Sequence, residues 1–90
     1  MYRISFTNQF KKDIKRCQKR NYDFSLIEIV FELLREKGEL PSKYKPHKLS
    51  GNYLNYWECH IKGDWLIIWL QDDLNNDIIL ERTGTHSDLF

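Results

Sequence analysis

The run Trp65-Leu66-Ile67-Ile68-Trp69-Leu70 constrains this chain more than any other stretch. Its residues are wholly apolar and show no alternation, as in a central strand buried on both faces. Turn residues bound it, Lys62-Gly63 before and Asn75-Asn76 after. With 90 residues there is material for one domain and no second core. The expected radius of gyration is roughly 12 Å. At that size any chemistry has to sit in a surface groove.

The rest of the chain reads around that strand. Tyr2, Ile4 and Phe6 alternate with Arg3, Ser5 and Thr7, a short half-buried strand. Thr7 or Asn8 supplies an N-cap, and Phe10, Ile14 and Cys17 form one apolar stripe on a helix of about residues 8–20. Asn21-Tyr22-Asp23 breaks it. Ser25-Leu26-Ile27-Glu28 fits a capping box for a second helix, whose near-continuous apolar residues predict burial on most sides and which Gly38 ends. Residues 39–55, with Pro41 and Pro46, read as a long ordered loop. Strands are expected over 53–61, 65–70 and 78–82, joined as an antiparallel meander. The order is β-α-α-β-β-β: an α+β fold of two N-terminal helices on an antiparallel sheet. No repeat, low-complexity tract or linker divides residues 1–90.

A net charge of +1 conceals a polarity. Residues 1–22 carry seven basic residues against Asp13 alone, a net of +6, and residues 35–48 carry +3. Residues 58–81 carry six acids against Lys62, a net of −5. A basic half on a nearly neutral protein suits a polyanion, although a solvated helix face gives the same pattern. The chain has no apolar run long enough to span a membrane, and its first residues, MYRISFTNQF, lack a secretory pattern. Cys17 and Cys59 are too few for a disulfide scaffold, so a reduced, cytoplasmic domain is expected.

Chemistry concentrates in the second half: His47 in the loop, His60 and Asp64 flanking a turn, Arg82 at a strand end, His86 and Phe90 in a polar tail. A meander can bring such groups to one sheet edge. A zinc site would draw on His47, His60, His86, Cys59 or Asp64, but their spacing matches no paired-ligand pattern. Cys59, between Glu58 and His60, faces opposite to both and lacks an electropositive niche for a nucleophile. Metal-free RNA cleavage needs a proton acceptor for the 2′-OH, a donor for the leaving 5′-oxygen and a fixed cation. His, Asp and Arg supply all three. A plain RNA-binding module would use the basic helix and the aromatics. Against these readings, a lone His is usually a polar surface residue or a satisfied core hydrogen-bonder, Trp57, Trp65 and Trp69 are more often core than a stacking platform, and Arg82 could simply pair with Asp64 or with neighbours of Glu81.

Four blocks carry a resemblance: Phe10-Lys11-Lys12-Asp13; Tyr44-Lys45-Pro46-His47-Lys48-Leu49-Ser50-Gly51; Glu58-Cys59-His60-Ile61-Lys62-Gly63-Asp64-Trp65; and Glu81-Arg82-Thr83-Gly84-Thr85-His86-Ser87-Asp88-Leu89-Phe90. In this order they resemble the YafQ family of toxins, within the RelE/ParE superfamily of type II toxin–antitoxin systems. Trp57 and Gly63 depart from the pattern, where many relatives carry Arg and Pro. The resemblance implies a RelE-like fold and a ribosome-dependent mRNA endonuclease. Such an enzyme cuts A-site codons by metal-independent attack of the 2′-OH on the adjacent phosphate, with no cofactor. It implies His47, His60, Asp64, Arg82, His86 and Phe90 as the catalytic set, with the 2′-OH proton going to Asp64, His47 or His60. Lys11, Lys12, Lys15, Arg16, Lys19 and Arg20 would dock on ribosomal RNA. The implied partners are the ribosome with its mRNA and a cognate antitoxin, ribbon-helix-helix with a wrapping tail, through which alone operator DNA is bound. A noncatalytic RelE/ParE-like inhibitor that binds RNA or gyrase is the alternative.

Overall fold

The computed structural model describes all of residues 1–90. Its elements are β1 (Arg3–Phe6), α1 (Asn8–Lys19), α2 (Phe24–Lys37), β2 (His47–Lys48), β3 (Trp57–Lys62), β4 (Trp65–Asp72), β5 (Asp77–Gly84) and α3 (His86–Leu89), with 3-10 turns at Ser42–Tyr44 and Gly51–Tyr53. The radius of gyration is 12.2 Å. The strands form one sheet in the order β1-β5-β4-β3-β2. All pairs are antiparallel except β1 with β5, which is parallel. That exception corrects a purely antiparallel sheet: the α1–α2 crossover returns the chain to the far side of the sheet, so β1 enters beside the last strand in the same direction.

Each predicted helix is present, with local corrections. Thr7 caps α1, its hydroxyl accepting from Phe10 N. Asp23, not Ser25, caps α2: its carboxylate accepts from both the Ser25 N–H and the Ser25 hydroxyl, and so starts the helix at Phe24. Gly38 ends α2 at φ 65°, where a Cβ would strike the Tyr2 ring. The apolar content of α2 suggested burial all round, yet only Ile27, Val30 and Leu34 are buried and Ile29 is half exposed. The helix has the sheet on one side and nothing on the other.

As the apolar run predicts, β4 is buried on both faces, with Trp65 through Trp69 all in the interior. Ile67 and Trp69 join Cys59, Ile78 and Leu80 under Phe10, Cys17 and the α2 stripe. Trp65 and Trp69 are core, and Trp57 stacks on Trp69 at 6.1 Å. Leu66 and Ile68 face the other way into a small second cluster with Leu89, covered by Leu49, Tyr53 and Tyr56. Burying each such side chain contributes about 1.5–3 kcal/mol, so this cluster ties the 49–56 segment and the C-terminal helix onto the sheet. The proposed chemistry lies on this second face.

Candidate active site

Strand register assembles the site. His47 lies opposite Glu58, Glu58 opposite Ile68, and Ile68 opposite Arg82, one row across four strands. The neighbouring row is His60, Leu66 and Gly84. Residues opposite one another share a face, so these polar groups stand on the side away from α1 and α2. Arg82 reaches that side through a bulge. The register slips between Ile68, opposite Arg82, and Trp69, opposite Leu80, leaving Glu81 as the extra residue. Plain alternation would send Arg82 after Ile78 and Leu80 into the helix-facing core.

The polar tail is the ordered helix α3. Thr85 and Asp88 form a reciprocal capping box, and Leu89 is buried on Leu66 and Ile68. Arg20 grips Asp88 with two hydrogen bonds, of 2.6 and 3.1 Å. That contact holds the Asp88 carboxyl well below the usual range. Its stabilising effect is therefore complete above the ordinary carboxylate value and is lost only as pH falls through the lowered one. At neutral pH the tail stays pinned. His86 consequently lies with its ring 6.3 Å from His60, and His60 lies 6.5 Å from His47. Phe90 follows at 5.8 Å from His86, with Tyr53 edge-on to it at 5.7 Å. The result is a continuous arc of rings on one face.

Hydrogen bonds give each imidazole different partners. His86 Nδ1 is 2.6 Å from Asp64 Oδ1, and its backbone N–H donates to the same oxygen at 3.2 Å. These bonds pull the Asp64 carboxyl below its ordinary value, fix the His86 tautomer and turn Nε2 outward. His60 Nδ1 faces the Gly63 carbonyl at 3.2 Å, which requires a proton on Nδ1 and leaves a lone pair on Nε2 in the neutral ring. His47 has no free nitrogen: Nδ1 meets the Lys45 carbonyl at 2.8 Å and Nε2 meets Glu58 at 3.2 Å. Glu58 is itself buried, and its second oxygen has no partner. Arg82 is mostly buried, paired with Asp13 through Nε at 2.8 Å, and Tyr53 stands beside its guanidinium.

A family model described as "Bacterial toxin of type II toxin-antitoxin system, YafQ" matches residues 2–90. The chain belongs to the YafQ family. It is similar to the mRNA interferase toxin YafQ of Escherichia coli K12, 38% identical over 89 residues, covering 97% of this chain and 94% of that protein. Among solved structures it resembles the E. coli DinJ–YafQ complex, with a TM-score of 0.90 at 35% identity, covering 100% of this chain and 99% of that one. A metal-bound toxin from Helicobacter pylori superposes with a TM-score of 0.90 at 36% identity, both chains covered in full.

In this YafQ-family chain the six residues expected to be catalytic stand on one face. The six basic residues expected on one docking face do not stay together. Lys11, Lys12, Lys15 and Lys19 are exposed. Arg16 turns inward to Asp13, Asp88 and the Thr83 carbonyl, and Arg20, still exposed, is paired with Asp88. Arg82 finds Asp13 rather than a neighbour of Glu81 or Asp64. Cys59 is fully buried and burial pushes its thiol far up, so it is no nucleophile. No group of three or more His, Cys, Asp or Glu residues is arranged to hold a metal ion. Sequence reasoning gave no role to Asp13, Glu58 or Tyr53. Asp13 had one signal, as the only acid in a basic helix. Glu58 had only its place on the His60 face, and Tyr53 had none.

Proposed function

We propose that this chain is an mRNA interferase that enters the ribosomal A site and cuts the codon there by attack of a ribose 2′-OH on the adjacent phosphate. The observation that carries this reading is the pairing of two imidazoles 6.3 Å apart, one held by a carboxylate and one by a carbonyl, with an arginine on the same face. His60 Nε2 takes the 2′-OH proton as O2′ bonds to phosphorus. His86 acts as the imidazolium, with Nδ1–H held on Asp64, and gives its Nε2 proton to O5′ as the P–O5′ bond breaks. Arg82 carries the charge that gathers on the phosphorane oxygens. Asp64 orients His86 through Oδ1, and a carboxyl held below its ordinary value is a weaker base than an imidazole. His47 is less suited as base, since both its ring nitrogens face acceptors. Phe90 and Tyr53 offer faces on which an unpaired base stacks.

The products test this chemistry. Cleavage of mRNA on programmed ribosomes leaves a 2′,3′-cyclic phosphate or its hydrolysed 3′-phosphate on the upstream fragment and a 5′-hydroxyl downstream. A 3′-hydroxyl with a 5′-phosphate would mean water, not the 2′-OH, is the nucleophile, and would overturn the assignment. The same mRNA without ribosomes is cut far more slowly, because the shallow face needs the ribosome to hold the codon in line.

Docking rests on the four lysines of α1 that remain free. Replacing Lys11, Lys12, Lys15 and Lys19 by Gln weakens ribosome binding and lowers its log–log salt slope by roughly 0.7–0.9 per lost phosphate contact. The saturating cleavage rate is kept. Titration of toxin against ribosomes at several salt concentrations checks this. A variant that binds like the parent, or one that binds normally and cuts slowly, refutes the separation of docking from chemistry. The proposed protein partner is a cognate antitoxin, in keeping with the complex that the E. coli relative forms with DinJ.

A further inference from the structure

β1 is short. Its pairing with β5 ends at Phe6 opposite Leu80, so the last residues of β5 have no strand on that side. Side chains of α1 replace it. Asp13 Oδ2 accepts from the Thr83 N–H at 3.1 Å, and Arg16 Nη2 donates to the Thr83 carbonyl at 3.3 Å. Asp13 has no exposed surface at all. Its Oδ2 also takes Arg82 Nε at 2.8 Å. Its Oδ1 takes Gln9 Nε2 and Arg16 Nη2, each at 3.1 Å, and Arg82 Nη2 at 3.4 Å. A buried carboxylate surrounded by donors persists only where its charge is matched, and here the match is shared between a helix residue and an arginine 69 positions away.

We propose that Asp13 is a positioning residue for RNA cleavage, holding the Nε edge of Arg82 so that its remaining donor edge is preset toward the phosphate. The inference rests on the proposed role of Arg82. Arg has a long flexible stem, and a guanidinium that must find its place during the reaction stabilises the phosphorane less than one already fixed. The Glu81 bulge brings Arg82 to the site face, and the salt bridge then sets its angle. The β5 edge, Asp13 and Arg82 form one unit, because the same carboxylate oxygen holds the Thr83 N–H and Arg82 Nε.

The test is a double-mutant cycle on single-turnover cleavage at saturating toxin, using the parent, Asp13→Asn, Arg82→Ala and the double variant. Asp13→Asn lowers the saturating rate up to about 100-fold, as expected for a misplaced group, without changing the toxin concentration needed for half-saturation. In the Arg82→Ala background it has no further effect. A parental rate for Asp13→Asn, or the same loss with and without Arg82, overturns the proposal. If Arg82→Ala alone cuts at the parental rate, the role given to Arg82 fails instead. Should Asp13→Asn lose its cooperative melt, NMR on the parent protein decides. The Arg82 Nε–H signal is expected to be rigid and protected from exchange. Motional averaging like that of the exposed Arg3 overturns the proposal.

Discussion

His86→Ala loses about 10²–10⁴ in single-turnover cleavage rate, the usual contribution of a positioned proton donor. The loss falls on the chemical step. His86 is more than half exposed, its backbone contact to Asp64 survives the substitution, and the tail is anchored by Leu89, the Thr85–Asp88 box and Arg20. Stability therefore changes within about 0.5 kcal/mol, and binding to programmed ribosomes is retained. The variant separates an enzyme from a pure binder, since a noncatalytic inhibitor would keep its toxicity. Near-parental cleavage by His86→Ala would remove the acid from the mechanism.

His60→Ala loses a similar factor, about 10²–10⁴, and differs from His86→Ala in its pH profile. A base works only when neutral and an acid only when protonated. A step with one general base and one general acid gives a rate with a rising and a falling limb against pH, the first set by the base and the second by the acid. His60→Ala flattens the rising limb and keeps the falling one; His86→Ala does the reverse. Exchange of the two limbs between the variants would mean the roles are swapped. Loss of the His60–Gly63 hydrogen bond costs about 1 kcal/mol, small enough that the melt stays cooperative, so rate and fold can be read separately.

Much of the architecture was legible in local sequence because local physics sets it. The WLIIWL run demanded a strand buried twice, and β4 is that strand. Thr7 and Gly38 mark helix ends through hydrogen bonds and backbone angles that involve few distant residues. The four sequence blocks carry the family, and their polar residues name the histidines, Asp64, Arg82 and Phe90. What sequence could not supply was orientation. Three imidazoles of one residue type take three settings because Asp64, the Gly63 carbonyl and the Glu58–Lys45 pair each face a different ring. Strand alternation alone sent Arg82 into the core, and a one-residue bulge reversed it. The basic residues of α1 read as one solvated face. Asp13 and the free edge of β5 draw Arg16 inward and Asp88 pairs with Arg20, leaving the four lysines free. In each case the deciding partner lies at a distant point in the chain or across a register. A hydrogen bond depends on the position of both its ends, whereas sequence pattern reports the position of one. Sequence by itself determined β1, β3, β4, β5, the two long helices and which residue types are present for chemistry; the tertiary structure alone decided that β2 forms in the expected loop and α3 in the tail, which nitrogen is free, which charge is already paired and which face the arginine reaches.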